Sequence, residues 1–247
     1  MRANAKQVLI ADDEPDLGEL LAVEFQNRGF AATYVLDGIK AFNVLNATNV
    51  DVLVTDIRMP NLDGLELTRR LKTRNPRSPL VLFMSAYSDV ALPEAYGAGA
   101  EGYFTKPFRL SELVLEVERL LKPPAERWSR SPSEAAPQLI EGMLPAGDQD
   151  GGAGLAAFGR GGVALRISNM PLFVGQTVAL DLHMESGPFT QIEGNGIVRW
   201  FAQDADGDPA QFCGIEFTYL TSETRTAFAQ WAGTKHIVPY IPDLRRA

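Results

Sequence analysis

Val52-Leu53-Val54-Thr55-Asp56 is an apolar, largely β-branched run that stops abruptly on a carboxylate. Such a run reads as a strand buried on both faces. In an open parallel sheet its last residue stands at the carboxyl edge, where α/β folds place their ligand sites. A carboxylate there suits cation binding or nucleophilic attack on an electrophile such as a phosphoryl group. Alone, a strand-ending Asp is more often a helix cap or a solvated loop residue, so the flanking segments decide.

Gln7 to Ala11 is a second apolar run, followed by Asp12, Asp13 and Glu14. Leu80 to Met84 leads to Ser85, and the short Gly102-Tyr103-Phe104-Thr105 delivers Lys106. Between them lie segments of helical period. Leu17, Leu20, Leu21 and Phe25 are spaced as one helical face, as are Leu110, Leu113, Val114, Val117, Leu120 and Leu121. Strands alternating with helices predict a parallel sheet with right-handed crossovers. All four strand ends then fall on one edge, which gathers Asp12, Asp13, Asp56, Ser85 and Lys106.

That cluster permits a narrow chemistry. The three aspartates are hard oxygen ligands that repel one another without a cation, and Mg²⁺ suits a site of few carboxylates, waters and a phosphoryl oxygen. With charge drawn off a phosphoryl donor by the metal and Lys106, Asp56 can attack phosphorus and become an aspartyl phosphate. Ser85 can then hydrogen-bond a new phosphoryl oxygen. No general base is required, because the carboxylate is already deprotonated at neutral pH.

Residues 5–122 resemble the receiver domain of two-component response regulators. The matching residues are Leu9-Ile10-Ala11-Asp12-Asp13-Glu14, Asp56-Ile57-Arg58-Met59-Pro60-Asn61-Leu62-Asp63-Gly64, Ser85-Ala86 and Phe104-Thr105-Lys106-Pro107-Phe108. The resemblance implies a flavodoxin-like, doubly wound α/β domain whose five parallel strands run in the order 2-1-3-4-5. It implies a phosphoryl group passed to Asp56 from a sensor histidine kinase or phosphotransfer protein. It implies Mg²⁺ held by Asp12, Asp13, Asp56 and the backbone carbonyl of Arg58, Ser85 and Tyr103 as a switch pair, and Lys106 on the phosphoryl oxygen. It also suggests a cis Lys106–Pro107 bond and a homodimer through the face of helix 4, strand 5 and helix 5. Arg58 and Tyr87 lie two residues beyond Asp56 and Ser85, placed either to hinder an attacking water or to sit solvated at the rim. Pro93 starts the fourth helix late or leaves it short.

The chain has 247 residues and a net charge of −8. A receiver of about 120 residues leaves room for a second domain of ordinary size. No signal peptide is visible, and no apolar run approaches the roughly 20 residues of a membrane span. The single cysteine, Cys213, fits a reducing cytosol, and its apolar flanks suggest a core thiol. The expectation is a cytoplasmic protein with a receiver at 1–122, a Pro/Ser-rich linker at 123–138 and an output domain at 139–247, without membrane insertion. Pro123 and Pro124 stop the fifth helix, and Ser129, Ser131, Pro132, Ser133 and Pro137 follow. The glycine-rich stretch 147–162 holds no phosphate-cradling motif and reads as irregular loop.

The second half changes period. Val163–Ile167, Gln176–Met184, Phe189–Phe201 and Ala210–Tyr219 read as strands. The stretch 204–208 is the turn of a hairpin. Its three aspartates lack the glutamate a calcium loop requires, since Ile215 stands there. Thr221 or Ser222 caps a single helix carrying Phe228 and Trp231 on one face. Together these predict a small antiparallel β-barrel closed by a terminal helix. From residue 123 onward there are nine Lys and Arg against fourteen Asp and Glu, a net of −5. No basic face for DNA phosphates is therefore expected. No catalytic set stands out either, His183 and His236 being isolated, so the output is not expected to be an enzyme.

This half resembles a PilZ domain, a bacterial module that often binds cyclic di-GMP. The residues that carry the resemblance are Gly161-Gly162-Val163-Ala164-Leu165, Val174-Gly175-Gln176, Gly196-Ile197-Val198-Arg199-Trp200 and Phe212-Cys213-Gly214-Ile215-Glu216-Phe217. The family's Asp/Asn-x-Ser-x-x-Gly falls on Ala157-Phe158-Gly159-Arg160-Gly161-Gly162, which keeps only Gly162. The upstream arginine pair, Arg127 and Arg130, is spaced by three rather than four. Losing groups that hydrogen-bond a base removes much of the affinity. Arg127, Arg130, Arg160 and Arg166 remain as nucleotide contacts to test. Two outputs follow: a barrel that binds a downstream protein partner, with Trp200 or Phe201 on its surface, or a dual sensor that also binds cyclic di-GMP. A phosphate sink with a vestigial tail is a third.

Overall fold

The computed structural model describes residues 5–86, 90–129, 138–144, 156–168, 170–185, 189–203 and 210–244. Two compact units result. One takes in Met1–Ala91 and Ala98–Leu121, the other Leu92–Gly97 and Lys122–Ala247.

The first half of the chain runs β1 (Gln7–Ala11), α1 (Pro15–Asn27), β2 (Ala31–Val35), α2 (Gly38–Ala47), β3 (Val52–Asp56), α3 (Gly64–Arg74), β4 (Leu80–Ser85), α4 (Leu92–Gly97), β5 (Gly102–Thr105) and α5 (Leu110–Leu120). The five strands form one parallel sheet in the order β2-β1-β3-β4-β5. β3 is buried at every residue and β4 at all but its first, as their continuous apolar runs require. α5 buries Leu113, Val114, Val117 and Leu120, the expected stripe. α1 departs from expectation at one position. Its buried stripe is Gly18, Leu21, Ala22 and Phe25, whereas Leu20 is 57% exposed. One residue is about 100° of helix turn, so a stripe centred on Leu21 and Phe25 turns Leu20 outward. Gly18 belongs to the stripe because Tyr34 presses on it: a Cβ there would lie 2.9 Å from the tyrosine Cδ2. α4 spans only Leu92–Gly97, as Pro93 foreshadows, and it groups with the second unit.

One polar feature of the first unit was not anticipated. Lys72 of α3 is fully buried, with Nζ 2.8 and 3.0 Å from the two carboxylate oxygens of Glu101. The ammonium also donates to the carbonyls of Pro79 at 2.8 Å and Pro76 at 3.3 Å. Glu101 Oε2 in turn accepts from the Val81 amide at 2.7 Å. Two charges removed from water are thus paired and hydrogen-bonded, the condition under which a buried ion pair is tolerated. The peptide bonds Ser78–Pro79 and Lys106–Pro107 are cis.

The second half continues with α6 (Pro124–Arg127), β6 (Gln138–Leu144), β7 (Ala156–Phe158), β8 (Gly162–Ser168), β9 (Thr177–Met184), β10 (Gln191–Gln203), β11 (Ala210–Leu220) and α7 (Ser222–Thr234). Its sheet has the order β6-β9-β10-β11-β8-β7. The expected antiparallel barrel needs correction on two points. β6 pairs with β9 in parallel, and among the described residues β6 and β7 remain edge strands, so this is a half-barrel. β6 carries little sequence signal, because its apolar residues fall in adjacent pairs, Leu139-Ile140 and Met143-Leu144, rather than alternating. β7 falls inside the stretch read as irregular loop, yet pairs with β8 over Ala156–Phe158. β10 and β11 pair antiparallel as the hairpin reading expects; residues 204–209 lie outside the described residues.

The start of the expected linker is also structured. α6 follows Pro123, and Trp128 is 1% exposed in the core of the second unit. That core is organised around Phe228 of α7, whose ring meets Phe217 at 5.1 Å, Trp128 at 5.4 Å, Trp231 at 5.5 Å and Phe189 at 5.7 Å between centroids. Edge-on and tilted packing of this kind is the favoured geometry of aromatic clusters. Trp200, proposed from sequence as a surface aromatic, is instead fully buried. Gly214 makes its room, since a Cβ there would collide with the indole. Phe201 is partly buried against the same core. Cys213 is buried as expected, and burial pushes its thiol up to about 12. No helix among the described residues is long and apolar enough to cross a membrane.

Candidate functional site

The parallel sheet delivers the acids as expected. Asp12 follows β1, Asp56 ends β3 and Lys106 follows β5. The carboxylates of Asp12, Asp13 and Asp56 offer ligand atoms that all lie within 4.8 Å of one another. Asp12 is fully buried and Asp56 6% exposed, while Asp13 is open to solvent. Lys106 Nζ stands 2.6 Å from Asp56 Oδ2 and 2.9 Å from Asp12 Oδ2. It also lies 3.0 Å from Glu14 Oε1, an acid that sequence reading noted without a role.

The electrostatics follow from this crowding. Burial raises the Asp12 carboxyl above the usual aspartate range, although the Glu14 amide and Lys106 pull the other way. Burial also works against the charge of Lys106, but hydrogen bonds to Asp56, Asp12 and Glu14 outweigh it and hold the ammonium above the ordinary lysine range. The lysine is therefore a fixed positive charge at any physiological pH.

Main-chain groups orient the acids. The Glu14 amide donates to Asp12 Oδ1 and the Arg58 amide to Asp56 Oδ1, both at 2.9 Å. Beyond Asp56 the chain passes Asn61, whose φ of 69° is the left-handed conformation that Asn tolerates better than most residues. Asp63 then caps α3, accepting from the Glu66 amide at 2.7 Å. Gly64 is needed because a Cβ there would collide with the Asp56 carbonyl. Asp63-Gly64 thus starts α3 tightly against the strand end, a constraint of space that spacing alone does not reveal.

The other expected residues are placed as follows. Ser85 is fully buried, with Oγ donating to the Ala86 carbonyl at 2.8 Å. Tyr103 lies on β5 opposite Phe83, two residues before Thr105, which pairs with Ser85. Alternation along a strand therefore puts Tyr103 and Ser85 on the same face of the sheet. Tyr87 lies outside the described residues; Arg58 is exposed at the rim.

The three ligand atoms of the acid cluster are all carboxylate oxygens, and burial disfavours the charged form of one of them, Asp12. That donor set fits a small hard dication such as Mg²⁺. Among the residues carried over from the PilZ resemblance, Arg130 lies outside the described residues and Arg127 sits on α6. Arg160 is engaged by the chain itself: Nε donates to the Val238 carbonyl at 3.2 Å and the guanidinium lies 5.7 Å from the Tyr240 ring centre. Arg166 lies on β8.

A family model described as the response regulator receiver domain matches residues 8–118. Among curated proteins, the probable transcriptional regulatory protein TcrX of Mycobacterium tuberculosis is 31% identical over 137 residues, which are 56% of this chain and 57% of that protein. The regulatory protein AtoC of Escherichia coli is 36% identical over 117 residues, 47% of this chain and 25% of its own length. This chain therefore spans little more than half of the first relative and a quarter of the second. Among solved structures, the response regulator TrrA of Thermotoga maritima in complex with Mg(2+)-BeF is 31% identical, with 47% of this chain and 99% of that one covered and a TM-score of 0.43. The sheet order, the acid cluster with its lysine and the family match agree: residues 8–118 are a response regulator receiver domain.

Proposed function

We propose that this chain is a phosphorylation-switched regulator whose second unit acts by binding a protein partner. The observation that carries it is the placement of Lys106 Nζ 2.6 Å from Asp56 within a cluster of oxygen ligands. A carboxylate oxygen of Asp56 attacks phosphorus of a phosphohistidine or small acyl phosphate. The bond from phosphorus to the donor breaks and its electron pair leaves with the donor, so no proton need move first. Asp12, Asp13, Asp56 and the Arg58 carbonyl would hold Mg²⁺, which when bound draws charge off the phosphoryl oxygens. Lys106 neutralises the charge that gathers on the same oxygens.

The new phosphoryl group adds negative charge and acceptor oxygens beside Ser85. Ser85 Oγ leaves the Ala86 carbonyl for them, Tyr103 moves into the vacated space, and the face of α4, β5 and α5 repacks. The net charge of −5 beyond residue 122 argues for a protein partner over DNA. The setting is a two-component pathway in the cytoplasm, and the chain carries out no turnover beyond gaining and losing its own phosphoryl group.

Incubation with acetyl phosphate and Mg²⁺ is expected to add the mass of one phosphoryl group to the chain and nothing to Asp56→Asn. An unchanged mass for the native chain would remove the proposal. For the output, calorimetry of the full chain with cyclic di-GMP is expected to show no saturable heat, because Gly159 and Ala157 replace the polar groups of the PilZ motif. Micromolar saturation would instead establish the dual sensor.

A further inference from the structure

We propose that the tip of the β7–β8 hairpin, Gly159-Arg160-Gly161-Gly162, is a recognition groove for a proline-flanked aromatic segment, and that the chain fills it with its own Val238–Leu244. The contacts are those of a bound peptide. The amide of Arg160 donates to the Pro239 carbonyl and that of Gly161 to the Tyr240 carbonyl, each at 3.0 Å. Arg160 Nε adds a bond to the Val238 carbonyl at 3.2 Å. Three successive carbonyls of the segment are therefore read by one arginine and its neighbour.

Tyr240 is the anchor. It is 1% exposed, its ring lies over Gly161, and its hydroxyl donates to Glu216 Oε1 at 3.0 Å. Glu216, itself fully buried, is held from the other side by Arg199, whose Nε lies 2.7 Å from Oε2. A tyrosine with apolar body and polar tip both satisfied is the kind of side chain that dominates recognition sites. Ile241 beside it is fully buried. The flanking prolines, Pro239 and Pro242, bring carbonyls without amide donors that would need partners of their own.

The hairpin is cut to receive this segment. A Cβ at Gly161 would collide with the Tyr240 ring, and one at Gly159 would collide with the Tyr240 carbonyl and approach Pro242 Cδ to 2.9 Å. Both glycines have a spatial reason to be glycine. Gly159 is also the position where the PilZ pattern carries its serine, so the strap lies where that hydroxyl would stand. This last link rests on the PilZ-like reading proposed above; the groove and its occupant do not.

The test uses the full chain and hydrogen exchange resolved by residue. In the native protein the amides of Arg160 and Gly161 are expected to exchange at least roughly a hundredfold more slowly than in an unstructured peptide. Exchange at the unstructured rate would overturn the seated strap without recourse to any variant. In Tyr240→Ala those two amides should lose their protection while the β10–β11 ladder keeps its own. A fluorescent peptide of Lys235–Leu244 should then saturate the Tyr240→Ala chain and bind the native chain at least about tenfold more weakly, because a tethered segment competes at high effective concentration. The same peptide bearing Tyr240→Ala should not bind. A folded Tyr240→Ala chain that ignores the unaltered peptide would overturn the groove. Heat from cyclic di-GMP with both amides still protected would count against the nucleotide-free output while supporting the seated strap.

Discussion

Lys72→Met should lower the stability of the receiver by about 3–5 kcal/mol, the usual cost of removing one partner from a buried ion pair. The carboxylate of Glu101 would remain fully buried and lose the ammonium that meets both its oxygens. The carbonyls of Pro76 and Pro79 would lose a shared donor as well. Urea unfolding of the full chain followed by far-UV circular dichroism measures the change. The double variant Lys72→Met, Glu101→Leu should recover only part of the loss: it removes the stranded charge, but the Val81 amide loses its acceptor and the Pro76 and Pro79 carbonyls stay without their donor. A loss below about 1 kcal/mol in the single variant would mean that the pair contributes no more than a surface ion pair does.

Lys106→Met should slow phosphorylation by acetyl phosphate on the order of 10²–10³-fold, the scale on which loss of one charge-stabilising donor acts. Binding of Mg²⁺ should not weaken and is expected to strengthen. The variant loses the ammonium that now bridges Asp12, Glu14 and Asp56 within 3.0 Å, so a dication meets a less neutralised set of acids. Rates from mass spectrometry and Mg²⁺ titration by calorimetry separate the two effects. A rate within about threefold of the native value would exclude Lys106 from charge stabilisation in the transition state.

Much of the receiver was legible because its signals are local and redundant. Four of the five strands are short apolar runs that end on or lead into a residue with chemistry, so one topological inference brought Asp12, Asp56 and Lys106 together; β2, Ala31–Val35, gives no such signal. What the pattern could not show was set by space or by long-range pairing. Gly64 is dictated by the Asp56 carbonyl, Lys72 finds Glu101 across 29 positions, and Leu20 has the same spacing as its buried neighbours but faces water. The second unit was less legible. β6 joins the sheet in parallel beside β9, a partner distant in sequence, and Trp128 enters the core from a stretch with the composition of a linker. Gly159 and Gly161 read as decay of a nucleotide motif. Their glycine character answers instead to Tyr240, which lies some eighty positions onward and offers no sequence signal of the contact.

All three tryptophans of the chain, Trp128, Trp200 and Trp231, belong to the second unit, and two of them are buried there. Tryptophan emission, unlike that of the receiver tyrosines Tyr34 and Tyr103, accordingly arises wholly from residues beyond Leu121. A change in tryptophan emission that accompanies modification of Asp56 has to originate among residues beyond Leu121, which makes selective excitation of tryptophan a label-free report on whether the message leaves the receiver.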